Sequence, residues 1–161
     1  WIGGSDGFLV NSQKVLKDLL TVIRKVNPQI VILLNPDDYH KDHKKAYVIG
    51  IDAVELASRH AYVEYGEAVD IPLILISDGL NLLSHPDIVV DISKVYKDKK
   101  NALLESYESQ LDRDLLQFSD GLSTTRGARM KVDHAEAFNI GKIPSRPMLS
   151  GKSTQALLDL V

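Results

Sequence analysis

The sequence predicts an α/β fold: a Rossmann-like, doubly wound, mostly parallel sheet flanked by helices. Three features predict it. Apolar residues recur at the 3.6-residue period between Val15 and Val26, a continuously apolar and β-branched run follows at Ile30 to Leu34, and a polar loop then leads into a second stretch of helical spacing. Helix, strand, loop and helix in that order build such sheets, whose ligands bind at the carboxyl ends of the strands.

Asn11 or Ser12 caps the first helix, whose apolar positions are Val15, Leu16, Leu19, Leu20, Val22, Ile23 and Val26, and Asn27-Pro28 ends it. Ile30 to Leu34 has the make-up of a strand buried on both faces. After the polar turn Asn35 to Lys41, Ala46, Ile49, Gly50, Ala53, Val54 and Ala57 mark a helix over about Asp42 to Ala61, and its small residues imply close packing. Ile71 to Ser77 and Ile88 to Ile92 are two more strands, expected at a sheet edge and separated by the turn-rich Asp78 to Pro86. A helix from Val95 to about Asp112 gathers Leu103, Leu104, Tyr107 and Leu111 on one side, where Tyr107 and Gln110 fix helix packing. A second, about Arg113 to Arg129, is interrupted by Gly121 and Gly127. From Gly141 onward Pro144, Pro147 and Gly151 suggest an extended tail or arm over 141–161, with Leu157 to Leu160 as a last short helix.

With 161 residues, the chain is expected to form a single domain. Lys+Arg number 19 against 22 Asp+Glu, so no basic excess exists to hold a phosphate backbone, and nucleic acid is not an expected partner. The absence of cysteine removes thiol nucleophiles and Cys-type zinc sites, leaving His and carboxylates to hold any metal. No apolar stretch approaches the roughly 20 residues of a membrane span. The opening at Trp1 and the Gly-rich segment behind it read as the interior of a longer sequence, so an N-terminal stretch with any targeting signal is expected outside this chain, and the expected location is cytoplasmic.

The densest polar cluster is Asn35-Pro36-Asp37-Asp38-Tyr39-His40-Lys41-Asp42-His43, between a strand and a helix. Two His three residues apart at a helix start share nearly one face, so both imidazoles can point to one spot above the sheet. A zinc-binding imidazole has its other nitrogen held by a carboxylate or carbonyl, and this loop is rich in carboxylates. The bland alternative is a solvated capping loop with two surface histidines.

The run VNPQIVILLNPDDYHKDHKKA, Val26 to Ala46, resembles the second zinc motif of the LmbE-like deacetylases, the family of N-acetylglucosaminyl-phosphatidylinositol de-N-acetylase, whose pattern ends in Asp-x-His-x-Asp-His. GSDGFL at Gly4 to Leu9, DIVVDIS at Asp87 to Ser93, KKNALLESYESQ at Lys99 to Gln110, RGAR at Arg126 to Arg129 and HAEAF at His134 to Phe138 agree with it in the family's order. The resemblance implies that 1–161 is the carboxyl-terminal part of a deacetylase-like domain. It implies His43 as a zinc ligand, His40 as the catalytic imidazole that polarises the acetyl carbonyl, and Asp42 as the carboxylate orienting His40. Near the pocket mouth it implies Arg126, His134 and Glu136 as substrate-binding residues. The family's first motif, Ala-His-Pro-Asp-Asp-Glu, is absent. Asn35-Pro36-Asp37-Asp38 imitates its middle, with Asn35 where the ligand His belongs. One ligand does not hold a catalytic zinc, so the N-terminal strand and its ligands are expected upstream or on a separate segment.

The expected function is zinc-dependent hydrolysis of an N-acetyl group from an N-acetylglucosamine-type sugar or sugar conjugate. The alternative is a metal-free sugar-binding or assembly module that kept the fold and lost the first motif. Family members often form oligomers, and the Pro-rich tail offers an interface for a homo-oligomer.

Overall fold

A computed structural model describes residues 5–106, 113–145 and 150–160. The fold is mixed α/β, with a four-stranded sheet in the order β1-β2-β4-β3 and helices around it. The elements are α1 (Gln13–Val26), β1 (Ile30–Leu34), α2 (Lys41–Ala57), a 3-10 turn (Val63–Tyr65), β2 (Leu73–Ser77), β3 (Ile88–Asp91), α3 (Tyr96–Ser106), α4 (Arg113–Met130), β4 (Ala135–Ile140) and α5 (Gly151–Leu158). Two compact units divide the described residues: one from 1–85 with 139–161, the other from 86–138.

In the first unit Ser12 caps α1, its side chain accepting from the Val15 amide at 3.3 Å, and Asn27 ends the helix in the left-handed conformation at φ 48°. β1 and β2 run parallel in the register Ile30↔Leu73 to Leu34↔Ser77, with α2 as the crossover between them. The core lies between α1, α2 and β2, built from Leu20, Ile23, Ile51, Ala53, Val54, Ala57, Ile74 and Ile143. β2, expected at an edge, is the buried strand, from Leu73 through Ile76. β1 is not covered on both faces: Ile32, at its centre, is 60% exposed.

Arg24 is buried at the inner face of α1, and its guanidinium donates to six backbone carbonyls: Leu56, Ala57, Arg59, Ala61, Tyr62 and Gly66. Leu56 and Ala57 belong to the last turn of α2, where carbonyls have no helical partner and a cation is favoured. One side chain thus ends α2 and shapes the loop behind it.

In the expected tail over 141–161 the last helix, expected at Leu157 to Leu160, begins at Gly151 and packs. Ser150 caps α5, accepting from the Ser153 amide at 3.1 Å, and the Ser150 and Ser153 hydroxyls donate to the Ile71 carbonyl at 2.8 and 2.6 Å. Ser153 and Ala156 are buried, so α5 docks its small-residue face next to β2.

In the second unit β3 and β4 pair antiparallel, Ile88↔Phe138 to Asp91↔Ala135. β4 has no counterpart in the elements expected from sequence, since Ala135, Ala137 and Asn139 carry little strand propensity, although its burial alternates at the start. α4 runs unbroken through Gly121 and Gly127. Gly127 lies where the backbone of Val132 and Asp133 turns back against the helix, 2.7–2.8 Å from where a Cβ would stand, so it permits a close approach and does not break the helix. α3 is described to Ser106; Tyr107, Gln110 and Leu111 lie outside the described residues.

Candidate metal and catalytic site

Because β1 and β2 are parallel and paired to Leu34↔Ser77, the loops after them leave the sheet at the same end. They are stitched together by polar contacts. Buried Asn35 donates from Nδ2 to the Asn81 carbonyl at 3.1 Å and accepts the Asp37 amide at 3.0 Å, and Asn81 Nδ2 returns a bond to the Asp37 carbonyl at 2.7 Å. This strand-end crevice is where open α/β sheets place ligands.

Asp38 is the centre of the crevice and is fully buried. Its Oδ1 accepts the His40 amide at 2.9 Å, and its Oδ2 accepts the Leu80 amide at 2.8 Å and lies 3.0 Å from His43 Nδ1. Burial pushes the Asp38 carboxyl up, but the bonds from His43, His40 and Leu80 together outweigh it and hold the group below the ordinary carboxylate value. A Cβ on Gly79 would collide with the Asp38 carboxylate, so the loop after β2 needs glycine there.

His40 caps the start of α2 with extended backbone, and His43 lies one turn on, their ring centroids 4.6 Å apart at 41°. The two imidazoles are therefore direct neighbours. His40 Nε2 is 3.7 Å from Asp6 Oδ1, and among the described residues His40 Nδ1 is buried without a hydrogen-bond partner. Asp42 was expected to orient His40. Its Oδ1 instead accepts the Leu9 amide at 3.2 Å, with Lys45 Nζ at 3.8 Å, and the carboxylate nearest a His40 ring nitrogen is that of Asp6. Asp6, His40 and Asp42 each offer a ligand atom, all within 4.8 Å of one another.

Imidazole nitrogens and carboxylate oxygens are the donors a zinc ion takes in a cysteine-free site. The carboxylate-backed ring of His43 fits such an ion.

Arg126, His134 and Glu136 lie in the second unit. Arg126 is buried on α4. Glu136 pairs with Lys99 at 2.8 Å, and Lys99 also reaches Ser123 at 3.3 Å. The His134 ring stacks on Tyr96, centroids 3.5 Å apart at 11°, while its amide is bonded by Ser93 Oγ at 3.1 Å. Tyr96 donates its hydroxyl to Asp120, which also takes Lys100 at 2.7 Å. Burial, then the Asp120 bond, pushes the Tyr96 hydroxyl up to about 12, and Lys100 foremost, with Tyr96, holds Asp120 below its ordinary value. These two residues and Asp38 carry defined roles that the sequence reading did not assign. For Asp38 the signal was its place two residues before His40, at the first position of the Asp-x-His-x-Asp-His pattern.

The chain is 32% identical over 114 residues to diacetylchitobiose deacetylase of Thermococcus kodakarensis, an alignment covering 68% of this chain and 42% of the relative. The chain thus spans less than half the length of that relative. Among solved structures it is similar to the conserved protein TT1542 from Thermus thermophilus, with TM-score 0.78, 24% identity, and 92% of this chain and 65% of that one covered. It is also similar to the N,N'-diacetylchitobiose deacetylase of Pyrococcus horikoshii in complex with its inhibitor MPG, with TM-score 0.71, 23% identity, and 88% and 56% covered. GalB, the 4-carboxy-2-hydroxymuconate hydratase of Pseudomonas putida KT2440, shares the fold with TM-score 0.72 and 21% identity, over 88% and 63%. No protein-family model matches the chain. The fold therefore hosts more than one reaction, and the chemistry has to be read from the site.

Proposed function

This chain belongs to the LmbE-like family, and from that premise we propose that it acts in zinc-dependent hydrolysis of an N-acetyl group on an N-acetylglucosamine-type sugar. The observation that carries the reading is His43 Nδ1 at 3.0 Å from buried Asp38, beside His40, in the strand-end crevice. The identity with a diacetylchitobiose deacetylase supports the choice of an N-acetylated sugar as substrate.

In this reading His43 holds the zinc through Nε2, and ligands beyond the residues described complete the set of three that catalytic zinc sites use. Zinc, when bound, supplies a water of pKa about 7 and polarises the amide carbonyl. His40 donates a hydrogen bond to the carbonyl oxygen and to the oxyanion that forms on attack. Asp6 and Asp42 place carboxylates beside His40. Arg126, His134 and Glu136 are assigned to the sugar, and 1–161 to one deacetylase-like domain.

The test is acetate release from N,N'-diacetylchitobiose before and after chelation, in the natural gene product. We expect release to stop on chelation and to return with zinc. Release that persists in metal-free protein, or no release from zinc-loaded protein, contradicts the reading.

A further inference from the structure

Three partners meet at the Asp38 carboxylate, and their chemistry leaves one arrangement. An ionised carboxylate accepts hydrogen bonds and donates none. Two of its partners, the amides of His40 and Leu80, are fixed donors at 2.9 and 2.8 Å, which is the geometry of charge-assisted bonds. The third, His43 Nδ1 at 3.0 Å, faces the same oxygen as Leu80. A bare ring nitrogen there would set a lone pair against a buried carboxylate, so Nδ1 must carry the hydrogen. In a neutral imidazole that leaves Nε2 as the lone-pair nitrogen.

We propose that Asp38 is a positioning residue: it fixes His43 in the Nδ1–H tautomer and so presents Nε2 as the donor atom for a metal ion, while its other oxygen sets the backbone of His40. The identity of the ion rests on the reading above; the tautomer does not. The carboxylate is itself held from two sides. The Asp38 amide bonds the Asn35 carbonyl at 3.1 Å, and the loop after β2 reaches it through the Leu80 amide, with Gly79 leaving the space. Asp38 thus links the ends of two neighbouring parallel strands to the His43 imidazole and to the backbone of His40. Substitution by Asn keeps the size but puts an NH2 or a neutral oxygen where the ring hydrogen points.

The experiment is long-range 1H–15N correlation NMR on the labelled, metal-free natural gene product, under conditions where the ring is neutral, with zinc affinity measured by competition with a chromophoric chelator. The wild-type His43 ring is expected as Nδ1–H. Asp38→Asn is expected to shift the ring toward Nε2–H and to weaken zinc about 10–100-fold, the usual effect of losing such a partner. Asp18→Asn, an exposed carboxylate on α1, is expected to change neither. A wild-type ring in the Nε2–H form overturns the proposal, and decides it alone if Asp38→Asn does not fold. An unchanged tautomer in a folded Asp38→Asn, or a changed tautomer with unchanged zinc affinity, also overturns it. A wild-type natural gene product that binds no zinc sinks the functional reading instead, and the tautomer change then decides the role of Asp38.

Discussion

His43 Nδ1 lies 3.0 Å from the carboxylate of Asp38, a residue with no solvent exposure five positions earlier in the chain. The pair spans the junction from the loop after β1 into α2. A buried carboxylate costs desolvation and persists where several donors satisfy it, as three do here.

Gly79→Ala tests that packing from the opposite side. The new methyl has to displace the Asp38 carboxylate or the loop after β2. We expect a loss of about 1–3 kcal/mol, as for other overpacked sites, together with weaker zinc binding. Chemical denaturation and the chelator competition read the two effects; wild-type values for both would show the crevice to be looser than described.

Arg24→Met is expected to destabilise the fold by about 3 kcal/mol or more. It leaves buried carbonyls at the end of α2 and in the loop to Gly66 without their donor. Arg24→Lys should recover only part of this, since an ammonium has three donors and no planar fork. Denaturation midpoints check the order wild type, Lys, Met. An Arg24→Met midpoint equal to that of wild type removes the capping role.

In the second unit, the Tyr96 hydroxyl is expected to ionise at about 12, against about 10 for an unfolded tyrosine. The unfolded chain therefore releases this proton first. The contribution of Tyr96 to stability is complete below about pH 10 and is lost as pH rises toward 12. Asp120 has the opposite sign: held low by Lys100, it stabilises above the ordinary carboxylate range and loses that contribution as pH falls through its own lowered value. Ultraviolet titration should show Tyr96 ionising late, and Asp120→Asn should bring it earlier without restoring the ordinary value, because burial remains. A late tyrosine unmoved by Asp120→Asn contradicts the assignment.

Much of the first unit was legible because its signals are periodic. Val15 to Val26 and Ile30 to Leu34 declare a helix and a strand, and the turn residues after them put His40 and His43 at the start of the next helix. Asp38 was harder to see. Asp37-Asp38 reads as a solvated turn, and only the fold brings the Leu80 amide to it from 42 residues away. The same holds for Arg24, a last-turn cation by sequence that becomes a buried cap through carbonyls 32 to 42 residues distant. β4 was hidden by alanine, and the start of α5 by the prolines before it and the glycine at its head, whose local signals are weaker than the burial that orders Ser153 and Ala156. The exposure of Ile32 shows the reverse: a β-branched run signals a strand but not what covers it.

The most direct measurement is acetate release from N,N'-diacetylchitobiose by the zinc-saturated natural gene product, wild type beside His43→Ala, with folding of both checked by circular dichroism. The functional reading predicts release by wild type and none above background from a folded His43→Ala. Equal release by the two proteins would contradict it.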